Sequence, residues 1–463
     1  MTKITQVWQQ GDLLEVSITD LTDTGDGVGR VDNRVVFVPD TVPGDRALVR
    51  LVRVKSQYAT GHLHQLLAPS GARIRPHCLV ADKCGGCQWQ AVDYPYQLET
   101  KRNLVIQALE RIGGFVAPGV HPVLPSPSPL GYRNKATYPL GLGSRGQVKA
   151  GYYQKGSHRL INLNQCPVQD QGLNPLLAGL KGDIQGRDWS IYDEVKKTGE
   201  LRHLSLRIGR RTGEILVTLV VTQGQLIGIA DQAQRWLQEY PNIVGVCLNY
   251  QPDHNNVIFG EKTDCVAGRP YIREQFSGLE FHLTADTFFQ VNTEVAEGLL
   301  GWVSQRLNLQ GHETLVDAYC GVGTFTLPLA QRVKTAIGLE VQKTAVAQAQ
   351  LNAQINRLTN VRFIAGTVET LLGQVGVPDV VLLDPPRKGC DQKVLETLLM
   401  LKPECIVYMS CKPATLARDL KFLCQSGEYK LEQVQPADFF PQTSHVESAA
   451  LLTRQQSDTC SKS

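Results

Sequence analysis

Apolar residues recur in three different rhythms along this chain. Between residues 12 and 67 they alternate in short runs punctuated by Gly and Asp: LLEVSITDL, TGDGVGRVDN, RVVFVPD, TVPGDRALVRLVRVKS and ATGHLHQLL. Alternation is the period of a half-buried strand, because successive side chains point to opposite faces. Strands this short, so closely divided by turns, predict a small β-barrel. A proline-broken linker, SPSPLGYR, follows further on. From Gly131 to about Ser277 the strands KATYPLGL, HLSLRIGR, EILVTLVVT and IVGVCLNY surround a helical stretch, IADQAQRWLQEY, which is an α+β pattern. From about Leu279 the apolar runs TLVDA, TAIGLE, VRFIAG, DVVLLDPP and CIVYMSC alternate with helix-like stretches. That alternation predicts a doubly wound α/β sheet. The expected partition is a barrel at 1–68, a central α+β domain at 69–277 and a Rossmann-type sheet at 278–463.

Composition narrows the setting. At ~150 residues per domain, a chain of this length suggests about three domains. Its net charge of +3 is too small to decide for or against a nucleic-acid partner. Local charge says more: the second half of the barrel carries Arg46, Arg50, Arg53 and Lys55 against Asp45, and alternate positions share a face. No apolar run approaches the ~20 residues of a membrane span, and the N-terminal stretch has no signal-peptide core. A cytoplasmic protein is expected, so the 12 cysteines read as metal ligands, nucleophiles or buried thiols rather than disulfides.

Three of those cysteines form CLVADKCGGC, with Cys78, Cys84 and Cys87 at C-x5-C-x2-C spacing. Cys166, beside a proline in NQCPV, is the best candidate for a fourth ligand. Zinc and a 4Fe–4S cluster both accept four thiolates, and spacing alone fits either.

Carboxylates and one thiol gather where the C-terminal strands run out, the edge at which open α/β sheets bind ligands. In TLVDAYCGVGTFTLPLA a strand ends in Asp317 and a turn with Gly321 and Gly323 leads into a helix, although the dinucleotide pattern G-x-G-x-x-G is not met. TAIGLE ends in Glu340, suited to accept bonds from ribose hydroxyls. DVVLLDPPRKG sets Asp384 at a strand tip before two prolines. In CIVYMSCKP the run stops at Cys411, with Lys412 beside it as a cation to lower the thiol pKa. HVES opens the last apolar run, ESAALL, and offers Glu447, or else His445, as a base.

Several stretches carry a resemblance. GDGVGRVDNRVVFVPDTVPGD resembles the TRAM domain, an OB-like barrel found on RNA-modifying enzymes. The run D-x-x-C-G-x-G-T-F from Asp317 is similar to the S-adenosylmethionine site of Rossmann-type methyltransferases. TADTFFQVN, DPPRKG, SCKP and HVES, in this order, resemble the RNA uracil-C5 methyltransferase family, and the likeness spans essentially the whole chain. It implies that Cys411 adds to C6 of a uracil, that Glu447 removes the C5 proton, and that Gln290 and Tyr319 contact the S-adenosylmethionine. It also implies a 4Fe–4S cluster on Cys78, Cys84, Cys87 and Cys166. Arg133 and Lys135 of GYRNKATY would face RNA, and Phe288 would stack on the extruded base. The barrel and cysteine cluster make the chain look more like members acting on 23S ribosomal RNA than the compact transfer-RNA members lacking both, although some members with these additions act on transfer RNA. A monomer is expected. Two readings compete: a DNA cytosine-C5 methyltransferase, opposed because no cysteine directly follows a proline, and a non-catalytic iron–sulfur RNA-binding protein, opposed by Cys411, Glu447 and Gln290.

Overall fold

The structure is a computed structural model, and it describes residues 8–222 and 226–455. Strands β1 (Leu13–Leu21), β2 (Gly27–Val31), β3 (Arg34–Val38), β4 (Arg46–Val54) and β5 (Tyr58–Ala68) close into the expected barrel in the order β1-β2-β3-β5-β4. The alternating side chains Val16, Ile18, Val36, Val38, Val49 and Leu51 fill it. Closure depends on small residues: a Cβ at Gly29 would lie 2.2 Å from Val16 Cγ1. Arg46, Arg50, Arg53 and Lys55 are exposed, whereas Asp45 is buried and bound to Arg73 at 2.5 Å. The acid is thus consumed internally, while on the exposed face Arg46 pairs with Glu15 of β1 at 2.8 Å.

After the barrel the chain carries the cysteine segment without regular structure and then forms α1 (Tyr94–Ala108), ended by a single π turn at Leu109–Gly113. The sequence rhythm does not announce this helix, because its buried positions are Gln97, Thr100, Lys101 and Val105. It also does not pack on the central sheet that follows. Val105 and Leu109 join the core of the C-terminal sheet, against Leu416, Leu420 and Val434.

The central region is a seven-stranded sheet of β6 (Lys135–Leu142), β7 (Val148–Tyr153), β8 (Leu160–Asn162), β9 (Leu201–Ile208), β10 (Ile215–Val221), β11 (Ile243–Tyr250) and β12 (Lys262–Gly268). Helices α2 (Asn174–Gly186) and α3 (Ile229–Glu239) contribute Leu177, Leu180, Ile184, Ala233 and Trp236 to its core. A hairpin of β13 (Tyr271–Phe276) and β14 (Leu279–Thr284) leads into α4 (Thr293–Leu307), whose cap is Asn292.

The C-terminal sheet has the order β17-β16-β15-β18-β19-β21-β20, from β15 (Thr314–Ala318), β16 (Thr335–Glu340), β17 (Val361–Ala365), β18 (Val380–Leu383), β19 (Cys405–Ser410), β20 (Tyr429–Ala437) and β21 (Glu447–Arg454). The first five are parallel and β21 is antiparallel to both neighbours. Helices α5 (Thr326–Ala330), α6 (Lys343–Ile355), α7 (Val368–Leu371), α8 (Gln392–Leu401) and α9 (Pro413–Cys424) complete the connections. Strand order reverses at β15, the switch point beside which such sheets bind ligands. Among the described residues no helix is long and apolar enough to cross a membrane.

Candidate active site

Parallel register brings the acids to one edge. Ala318 pairs with Leu383 and with Leu339, so Tyr319, Asp384 and Glu340 emerge side by side. Tyr319 takes a left-handed backbone (φ 72°), and Gly321 and Gly323 continue it at positive φ. This tight turn folds back so that Gly321 N donates to Glu340 Oε2 at 3.1 Å, while Gln342 N donates to Oε1 at 2.8 Å. Glu340 is thereby held with lone pairs still free, as a ribose contact requires. Asp317 is buried beneath the turn and accepts from Thr326 Oγ1 at 2.5 Å. Burial, then the nearby Asp384 and Glu340, pushes its carboxyl up to about 8. Tyr319 is half-buried against the core of the sheet, next to Cys390.

Cys411 stands between β19 and α9. Pro413 begins the helix, and Lys412 N donates to Ser410 Oγ at 3.1 Å, which fixes the bend. Ser410 pairs with Ser448, so continuing that antiparallel register sets Cys411 beside Glu447. Burial, and next the charge of Glu447, raises the thiol pKa, while Arg387 lowers it. The cation that lowers it is thus Arg387, where the sequence pointed to Lys412. Glu447 is pushed up to about 8 by burial and then by Asp384, with Arg387 opposing. Asp384 itself rises to about 7 through burial. His445 is pushed down by burial and neighbouring cations, and its Nε2 lies 3.4 Å from Arg387 Nη2. A cavity of about 370 Å³ opens over the thiol, lined in part by Arg111, Arg387, Lys412, Ser444 and His445. Arg111 was not singled out from sequence: it arrives from the π turn after α1, a placement no local pattern encodes.

The RNA-facing candidates separate. Phe288 is 63% exposed on the segment before α4. Gln290 is half-buried, and its carbonyl accepts from Asn134 Nδ2 at 2.9 Å, which ties the 133–135 segment to it. Lys135 is spent locally: Nζ donates to Ala285 O at 3.0 Å and sits 4.6 Å from the Phe259 ring centroid. Arg133 lines a different cavity, of about 170 Å³, together with Cys78, Cys84, Cys87 and Cys166. All four predicted ligands therefore face one space. Among the described residues, no group of three or more His, Cys, Asp or Glu is arranged to hold a single metal ion.

A family model described as tRNA (Uracil-5-)-methyltransferase matches residues 126–376 and 377–455. The chain belongs to this RNA uracil-C5 methyltransferase family. A TRAM domain model matches residues 7–64. An uncharacterized RNA methyltransferase of Nostoc sp. is 66% identical over 99% of both chains, and one of Synechocystis sp. is 59% identical over 96% of both. A solved Pyrococcus abyssi tRNA (uracil-54, C5)-methyltransferase in complex with S-adenosyl-L-homocysteine is 29% identical. It overlays with a TM-score of 0.76 over 95% of this chain and 100% of its own. The protein is therefore an RNA methyltransferase that uses S-adenosylmethionine.

Proposed function

We propose that the enzyme methylates C5 of a uridine in RNA through a transient bond between Cys411 Sγ and C6 of the ring. The observation that carries this reading is the adjacency of Cys411 and Glu447 across β19 and β21, beside the acid-lined edge of the sheet. C5 of uracil is a poor nucleophile; thiolate addition at C6 moves the ring's π electrons toward C5 and O4 and makes C5 reactive. S-adenosylmethionine, bound along Tyr319, Gly321, Gly323, Glu340, Asp317 and Gln290, supplies the methyl group. The adduct then carries both methyl and hydrogen at C5. Glu447 takes that proton, the C–H electron pair restores the C5–C6 double bond, and the C6–S bond breaks with its pair returning to sulfur. A carboxyl with a pKa near 8 is a stronger base than an ordinary one. Asp384 at about 7 sits between the two sites, suited to a hydrogen bond with the uracil edge or the donor.

A paired uridine cannot expose C6, so the base must be flipped out of its stack, which costs a few kcal/mol and least in a loop. The exposed Phe288 suits stacking on that base, and the cavity arginines suit its flanking phosphates. The four cysteines line one cavity, and the family resemblance favours a 4Fe–4S cluster there over zinc. Such a group would join residues 78–87 to Cys166 and contribute to folding.

Ribosomal RNA of the 23S type is the proposed target, on the resemblance to ribosomal-RNA members that carry a barrel and a cysteine cluster. A second reading, uridine 54 of transfer RNA, is favoured by the near full-length overlay on the Pyrococcus enzyme. Mapping 5-methyluridine in both RNAs from cells with and without the gene separates them. The chemistry is tested with RNA containing 5-fluorouridine: fluorine does not leave as a proton, so a covalent adduct should accumulate, and C411S should abolish both adduct and turnover. Methyl transfer by C411S at the wild-type rate would overturn the mechanism.

A further inference from the structure

The loop between β20 and β21 ends at the proposed base, and one residue within it is held unusually firmly. Gln442 has φ 70°, a left-handed backbone that a non-glycine residue keeps only where its surroundings impose it, and it is 4% exposed. Its polar groups are all engaged. The backbone N donates to Gln97 Oε1 at 2.9 Å, and the side-chain Oε1 accepts from Gln97 Nε2 at 3.2 Å. Its carbonyl accepts from Gln88 N at 3.1 Å and Trp89 N at 3.0 Å, the two residues directly after Cys87. Its Nε2 reaches Pro129 O at 3.5 Å. Gln97 is fully buried on α1 and is fixed in turn by Trp89 O and Val92 O.

The rest of the loop is secured on both sides. Asp438 pairs with Lys101 at 2.6 Å, Tyr132 Oη donates to Pro441 O at 3.0 Å, and Ser444 Oγ donates to Asp23 O of the barrel at 2.6 Å. Thr443 lines the cysteine cavity, whereas Ser444, His445 and Val446 line the cavity over Cys411. Four consecutive residues thus pass from one cavity to the other, and Glu447 comes next.

We propose that Gln442 is a positioning residue for Glu447, through which α1 and the segment after Cys87 set where the base meets the C5 proton. The inference rests on the mechanism proposed above. It divides the reaction: thiol addition depends on Cys411, anchored by β19 and α9, while proton removal depends on Glu447, which opens β21 opposite Ala437 and is led into that strand by a loop whose geometry is imposed from the N-terminal half. Displacing Glu447 by an ångström leaves the first step intact and slows the second. The methylated adduct, still bonded from C6 to sulfur and still bearing its C5 hydrogen, then persists.

The test compares Q442A with the wild type on ordinary and on 5-fluorouridine RNA. Q442A is expected to lower kcat for released 5-methyluridine by about tenfold or more, with KM for RNA changed less than about twofold. It should accumulate a denaturant-resistant protein–RNA adduct on ordinary RNA, yet form the fluorouridine adduct at close to the wild-type rate. Q442N, whose side chain tolerates a left-handed backbone but is too short for the Gln97 pair, serves if Q442A does not fold. Parallel loss of turnover and fluorouridine adduct, or wild-type turnover without adduct on ordinary RNA, would overturn the role of Gln442. Absence of a fluorouridine adduct in the wild type would instead overturn the underlying mechanism.

Discussion

Arg387 is exposed, yet it lowers the pKa of both groups that must lose a proton, Cys411 and Glu447. Replacing it with methionine keeps the length of the side chain and removes the charge. Removing an exposed guanidinium that acts into a partly buried cleft shifts the Glu447 titration by about half to one pH unit, after screening by solvent and salt. Glu447, near 8 in the wild type, is about one-tenth ionised at pH 7. A further rise of that size cuts the ionised fraction roughly three- to tenfold at pH 7 but less than about twofold at pH 9. The assay is kcat for methyl transfer from labelled S-adenosylmethionine at saturating RNA, from pH 6 to 9, for wild type and R387M. The rate should climb with pH in both, with the variant's rise displaced toward alkali. Fluorouridine adduct formation, which reads thiol addition and methyl transfer but not proton removal, should slow at every pH below the thiol pKa. A constant ratio of the two kcat profiles across the range would refute the argument, because it would mean that Arg387 contributes packing or geometry rather than proton affinity.

Asp317, Asp384 and Glu447 also make folding depend on pH. An acid whose folded pKa lies above its unfolded value of about 4 favours the fold while protonated, so that contribution is present in acid and lost as pH rises through the folded value, here about 7 to 8. Thermal melts of the ligand-free protein should show D317N with a shallower decline than the wild type between pH 5 and 9; identical slopes would count against a raised Asp317. Lys101 and Asp438 are both fully inaccessible, so K101M, which strands a buried carboxylate, should cost about 3–5 kcal/mol in denaturant unfolding, and K101M/D438L should recover part of it. R50A/R53A on the exposed barrel face should weaken RNA binding across sequences and reduce the slope of log affinity against log salt by about one for each phosphate no longer neutralised, and an unchanged slope would exclude that face from the interface.

Legibility in the sequence followed the range of the interactions. The doubly wound strands, the closed barrel and the carboxyl-edge acids were readable because each rests on a local period or on the residue at which an apolar run stops. The last apolar run, ESAALL, was readable for the same reason, although its antiparallel direction is not a local signal. Helix α1 was not, since it buries glutamine, threonine and lysine, and the partners Gln442 of Gln97 and Asp438 of Lys101 lie more than 300 residues away. Strand β20 escaped notice because YKLEQVQPA mixes charge and a proline into an edge strand, where a missing N–H is tolerated. The thiol and the glutamate stood out as residue types at strand ends, but the cation that tunes them did not. Arg387 reaches them through the turn after two prolines, and that geometry exists only once the sheet has formed.

The placement of α1 has a consequence for how this chain can be divided. Val120 and Leu124, which follow that helix, bridge in parallel to Val434 and Ala437 and so shield the outer side of β20. A truncated protein beginning at the switch to the Rossmann-type pattern would contain every catalytic side chain and still leave that border bare, inviting intermolecular strand addition. Expression of the isolated half should give aggregates, and supplying residues 94–124 as a separate peptide is the simplest way to rescue solubility.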